Sequence, residues 1–167
     1  DLPIGCHPDG FDIWDTPDLF APASLGAPPD PLFVGGQDWG LPASIPKQSR
    51  LEGHLNFRKA IARQMSVAGL LRIDHVMGIH RTWWVPHGSS ATQGAYVMQP
   101  TEQMFAIICI ESVRAESGVV GENFKSRHSA VFFARLIAVV AEVVRPVQMT
   151  KGTWFAAWLW GALVTTT

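Results

Sequence analysis

Gly69-Leu70-Leu71-Arg72-Ile73-Asp74-His75 is a short apolar run that ends in an acid. Ser117-Gly118-Val119-Val120-Gly121-Glu122 has the same shape further along the chain. Both read as β-strands, and their continuous apolar character is that of parallel strands buried on both faces. A carboxylate just past the last buried residue of such a strand stands where an α/β barrel keeps its chemistry. Arg72 precedes Asp74 by two residues, so the pleat sends both side chains to one face.

Working outward, Ser49–Ala68 carries Phe57, Ile61, Met65 and Ala68 at three- to four-residue spacing. Arg58, Lys59, Arg63 and Gln64 fall on other faces, which predicts an amphipathic helix with Gly69 as its stop. Thr101 is read as the N-cap of a second helix running through Met104, Phe105, Ile108 and Glu111 to Glu116. Leu2 and Ile4 open a strand-like start, followed by the turn His7-Pro8-Asp9-Gly10. Residues 15–46 hold most of the prolines and show no periodicity. They are read as one long functional loop. Within it, Trp39 lies between glycines, either facing a ligand or anchoring a surface loop. The order strand, loop, helix, strand, loop, helix, strand is the grammar of an α/β fold with a parallel sheet wrapped by helices. After Glu122 the alternation stops, and residues 123–167 read as a tail, helical or poorly ordered.

Composition narrows the functional classes. The chain has 167 residues, 47% apolar and 16% charged, which fits a globular domain. Its formal net charge of -1 gives no pull toward nucleic acid or an anionic membrane. Apolar stretches 130–144 and 154–164 are too short to span a bilayer. The chain begins with Asp1, not Met, which reads as a cut end. Cys6 and Cys109 lie outside any ligand spacing and read as free thiols of a reducing compartment. The six His form no H-x-x-x-H or Cys/His cluster, so no metal is expected. Seven Trp stand against one Tyr. Trp packs cores and also stacks on sugar rings, and composition leaves both readings open. For Trp83-Trp84 the packing reading, between barrel and helix, is preferred.

Five blocks occur in order: Asp1-Leu2-Pro3-Ile4-Gly5, Gly26-Ala27-Pro28-Pro29-Asp30, Gly36-Gln37-Asp38-Trp39-Gly40, Leu71-Arg72-Ile73-Asp74-His75-Val76-Met77-Gly78 and Val119-Val120-Gly121-Glu122. Together they resemble the 4-alpha-glucanotransferases (amylomaltase, disproportionating enzyme; glycoside hydrolase family 77) over residues 1–122. The resemblance implies the central part of a (β/α)8 TIM barrel with an inserted loop at 15–46, no cofactor, and a cytoplasmic role. It implies transfer of an α-1,4-glucan segment to the 4-OH of an acceptor, with maltooligosaccharide or starch-type glucan as partner. Asp74 matches the family's nucleophile and Glu122 its acid/base. Arg72 and His75 match the residues beside the nucleophile; Asp1, Asp30, Gln37 and Trp39 match positions lining the glucan site. Two departures accompany these matches. Asn123-Phe124-Lys125 replaces the family's Asp-Leu-Gly, and no later block supplies its third catalytic Asp. A fragment with an aberrant tail, of little activity alone, is the expectation.

Physical chemistry is compatible with those roles. A retaining mechanism needs two carboxyls about 5 Å apart, and adjacent strands lie about 4.8 Å apart. Arg72 would keep Asp74 ionised, and the apolar Val119 and Val120 would help hold Glu122 protonated. The alternatives are a non-catalytic glucan-binding module and an amylase-like hydrolase.

Overall fold

The computed structural model describes residues 1–121. The elements, in chain order, are α1 (Phe11–Asp15), β1 (Phe20–Ala27), β2 (Gln37–Ser44), α2 (Pro46–Leu51), α3 (Leu55–Met65), β3 (Leu70–Ile73), β4 (Arg81–Pro86), β5 (Ala95–Met98), α4 (Thr101–Ala115) and β6 (Gly118–Gly121). Short 3-10 turns at Pro17–Leu19, Val76–Ile79 and Ala91–Gln93 join them. Glu122 and the tail lie outside the described residues.

Both apolar runs form strands, as expected. β3 and β6 pair in parallel, with Leu70 opposite Gly118 and Ile73 opposite Gly121. The start of the chain joins them. Leu2 donates its amide to the Arg72 carbonyl at 2.7 Å, and its carbonyl accepts the Asp74 amide at 2.9 Å. The amphipathic stripe explains the packing behind this sheet. Ile61 and Met65 of α3 and Ile108 of α4 bury against Leu71 and Ile73. Each such side chain contributes about 1.5–3 kcal/mol of transfer free energy.

The expectation of a sheet buried on both faces is corrected among the described residues. Burial alternates along β3: Leu71 and Ile73 are buried, Leu70 and Arg72 exposed. Leu70 is 64% and Val120 42% exposed. The helices cover one face and leave the other open.

Residues 15–46 are not the loop that was expected. They contain β1 and β2, which with β4 and β5 form an antiparallel sheet of order β2-β1-β4-β5. Two of the prolines fall within β1 and β2, at placements a sheet permits. Pro42 lies on the edge strand β2. Pro22 lies within a register shift between Phe20 and Ser24. Gly26 is demanded by a close approach, since a Cβ there would sit 2.0 Å from the Gln37 carbonyl oxygen. Trp83 and Trp84 pack within this sheet rather than between barrel and helix. Trp84 lies against the Ala23, Leu25 and Ala43 cluster. Trp83 donates to the Ala91 carbonyl at 3.0 Å and meets Tyr96 edge-on.

The long helix expected over Ser49–Ala68 is two helices. Gly53 and His54 both have positive φ and turn the chain between α2 and α3. His54 is buried there, its Nδ1 2.8 Å from Ser49 Oγ and its Nε2 2.8 Å from Gln103 Oε1. Thr101 is the first residue of α4 rather than its cap. Its hydroxyl donates to the Gln99 carbonyl instead.

Candidate active site

The site grows from the end of β3. The hydrogen bond from the Asp74 amide to Leu2 continues the strand ladder by one residue. By strand alternation, Asp74 falls in step with Leu70 and Arg72. His75 then turns the chain with a left-handed backbone, φ 44°. Its carbonyl accepts the Gly78 amide at 2.7 Å and starts the following 3-10 turn.

Residues far apart in sequence meet at this turn. The Trp39 indole lies edge-on to the His75 ring, centroids 5.3 Å apart at 75°. Trp39 Nε1 donates to Gln37 Oε1 at 2.8 Å. Gln37, Trp39 and His75 therefore form one connected group, with Asp74 next along the chain. Burial pushes the His75 pKa below its ordinary value, and the neighbouring Asp74 carboxylate opposes part of that shift. The ring is biased toward neutral imidazole, able to donate at one nitrogen and accept at the other.

Arg72 grips Asp1. Its Nε donates to Asp1 Oδ1 at 2.8 Å and its Nη2 to Oδ2 at 3.0 Å. The side chains are 45% and 57% exposed, so this bidentate pair contributes about 1 kcal/mol or less. It ties the chain's first residue to the open face of β3.

Asp30 does not join the cluster. Its Oδ1 accepts the Leu32 amide at 2.8 Å and the Phe33 amide at 2.6 Å, shaping the connection between β1 and β2. Glu122 lies outside the described residues. A cavity of about 620 Å³ reaches Asp74 and His75, with Cys6, Asn56, Phe57 and Gln64 among its walls. Gln37, Trp39, Arg72 and Asp1 do not line it. The cavity and the aromatic group thus approach Asp74 through different residues.

Glycoside hydrolase family 77, the 4-alpha-glucanotransferases, matches residues 1–132. The chain belongs to this family. The 4-alpha-glucanotransferase of Haemophilus influenzae is 44% identical over 124 residues, 74% of this chain and 18% of that protein. The enzyme of the same name from Mycobacterium tuberculosis is 40% identical, over 74% of this chain and 17% of its own length. The chain thus spans about a fifth of the length of these family members. The amylomaltase of Corynebacterium glutamicum superposes with a TM-score of 0.73 at 31% identity, covering 78% of this chain and 19% of that one. The amylomaltase of Streptococcus agalactiae, solved in complex with acarbose, gives 0.72 at 23% identity over 81% of this chain and 29% of that one. That second likeness bears on the fold alone.

Two residues near the cluster went unnoticed as participants. Asp38 lies inside the Gly-Gln-Asp-Trp-Gly block, and its Oδ1 accepts the Ser24 hydroxyl at 2.5 Å. Position between two nominated residues was the available signal for Asp38. Ser24 carried none, because its part depends on the pairing of β1 with β2. Cys6 and Cys109 are free thiols, both pushed above their ordinary pKa by burial. Among the described residues, no three His, Cys, Asp or Glu side chains gather in a metal-binding group.

Proposed function

We propose that this chain carries the nucleophile and the acid/base of a retaining transfer of α-1,4-glucan segments. One observation carries the reading: in the parallel register of β3 and β6, Ile73 lies opposite Gly121. The residue that follows each in the sequence is an acid, Asp74 and Glu122. Adjacent strands are about 4.8 Å apart, close to the roughly 5 Å that separates the carboxyls of retaining enzymes.

In the proposed first step, an Asp74 carboxylate oxygen attacks the anomeric carbon. The glycosidic C–O bond breaks, and the Glu122 carboxyl gives its proton to the departing 4-oxygen. In the second step the 4-OH of an acceptor glucan attacks the anomeric carbon. Glu122, now a carboxylate, takes the hydroxyl proton, and Asp74 leaves as the free carboxylate. His75, Trp39 and Gln37 hold the sugar beside Asp74, the indole supplying an apolar surface and the imidazole a hydrogen bond. Asp1 and Arg72 border the same face. Asp30 acts indirectly, by fixing the loop that leads into Gln37.

The open face of β3 and β6 supports a sector of a barrel, with Leu70, Arg72 and Val120 directed to its interior. The two free thiols favour a reducing, cytoplasmic setting.

Maltoheptaose binding, followed by NMR at the Trp39 indole and the His75 ring, tests the site. Both signals are expected to shift on titration. With its sheet face open, the chain is expected to redistribute maltotriose slowly or not at all. Whatever disproportionation remains should vanish in Asp74→Asn, and unaltered turnover in that variant contradicts the proposal. Redistribution among chain lengths marks transfer, whereas a net gain of reducing ends marks hydrolysis.

A further inference from the structure

Asp38 takes no part in the chemistry above, yet its carboxylate is engaged twice. Oδ1 accepts the Ser24 hydroxyl at 2.5 Å and the Gly40 amide at 2.9 Å. These bonds span a defect in the sheet. Gly26 lies opposite Asp38, while its neighbour Leu25 lies opposite Leu41. Trp39 and Gly40 are therefore looped out of the ladder between consecutive pairs. Gly40 has φ 65°, the left-handed conformation that glycine accommodates without strain. A bulge bends its strand and re-aims the side chains it carries. The indole carried by this bulge meets His75.

Ser24 makes a firm anchor. It is buried, and it sits on a strand paired on both sides, opposite Pro42 of β2 and Val85 of β4. We propose that Asp38, held by Ser24, is a positioning residue that locks the bulge and so keeps Trp39 edge-on to His75 beside Asp74. One carboxylate oxygen fixes the looped-out segment to the neighbouring strand and to its own far end. Gln37 and His75 then meet the indole in one orientation. The consequence for glucan handling rests on the function proposed above; the lock itself does not.

NMR of the full chain tests the lock without any ligand. Trp39→Phe assigns the Trp39 indole N–H, and His75→Gln assigns the His75 ring. In Asp38→Ala, both signals are expected to move, and the Gly40 amide should exchange about fivefold faster or more. Amides of β3 and β6 should stay in place. Asp38→Asn keeps an acceptor oxygen for both donors and is expected to restore the parent positions. Parent-like Trp39 and His75 signals in Asp38→Ala would overturn the proposal, as would an Asp38→Asn spectrum displaced as far as that of the alanine variant. If Asp38→Ala does not fold, Ser24→Ala removes one of the two bonds, and a partial displacement of Trp39 is expected. An unmoved indole in that variant also overturns the lock. A maltoheptaose titration separates the two readings. No shift at Trp39 or His75 in the parent contradicts glucan binding here and leaves the lock standing. Where binding is seen, Asp38→Ala should weaken it severalfold and Asp38→Asn should not.

Discussion

At His75 two opposing influences meet on one ring. Partial burial disfavours the imidazolium, and Asp74 favours it, with burial the larger. A pH titration of the ring by NMR should give a midpoint below the ordinary 6.5. Asp74→Asn removes the attraction and should lower it further. Trp39→Ala opens the ring to water and should raise it toward the ordinary value. The sign for stability follows from linkage. The unfolded chain binds the His75 proton more readily than the folded one. Its contribution is therefore complete above 6.5 and declines as pH falls from there through the lower folded midpoint. A denaturant titration across that window should show Asp74→Asn losing more stability on acidification than Trp39→Ala.

Individual residues differed in how much of the site they disclosed in advance. Gln37, Trp39 and His75 were nominated from their blocks and meet in space as one group, with Asp74 next along the chain. Arg72 was expected beside Asp74, and its guanidinium also holds Asp1. Asp30 was expected at the glucan and is occupied by its own turn. For Asp30 the block did not indicate which neighbours the side chain takes. That choice depends on tertiary geometry.

At the scale of elements, the parallel unit was legible and the antiparallel sheet was not. β3 and β6 follow helices with clear periodicity, and their apolar runs are bounded by glycine. β1 is built of Ala21, Pro22, Ala23, Ser24, Gly26 and Ala27, with only Phe20 and Leu25 large. Small residues let strands approach closely but leave no alternation to read. The bulge on β2 erases the period there as well. The price of such close approach is intolerance of any added atom. Gly26→Ala should destabilise the chain by about 2 kcal/mol or more, measured by urea denaturation, because its Cβ collides with the Gln37 carbonyl. The faces of β3 give a paired test. Leu71→Ala removes a fully buried side chain and should cost about 2–5 kcal/mol. Leu70→Ser, next to it but exposed, should change stability by about 0.5 kcal/mol or less. Equal effects would refute the one-sided packing described for this sheet.

On the scale of the molecule, two sheets of different kind share one job. The parallel sheet presents Asp74 at a strand end, with α3 and α4 bracing its back. The antiparallel sheet, through its bulge, brings Trp39 to the same place. Between them Leu2 fixes the beginning of the chain to β3, which places Asp1 on the guanidinium of Arg72. The (β/α)8 closure implied by family resemblance is a proposal, and the relatives are between five and six times as long as the stretch they match here. The exposed apolar side chains Leu70 and Val120 are the surface such a closure would cover.

The proposed transfer requires Asp74 and Glu122 to face a single glycosidic bond. A crystal structure of the chain with bound maltoheptaose tests it most directly, through the separation of the two carboxyl groups across the sugar. The expected separation is about 5–5.5 Å, with the glucan against Trp39 and His75. Carboxyls about 10 Å apart or more, beyond the range of either glycosidase geometry, or a glucan bound away from Asp74, would contradict it.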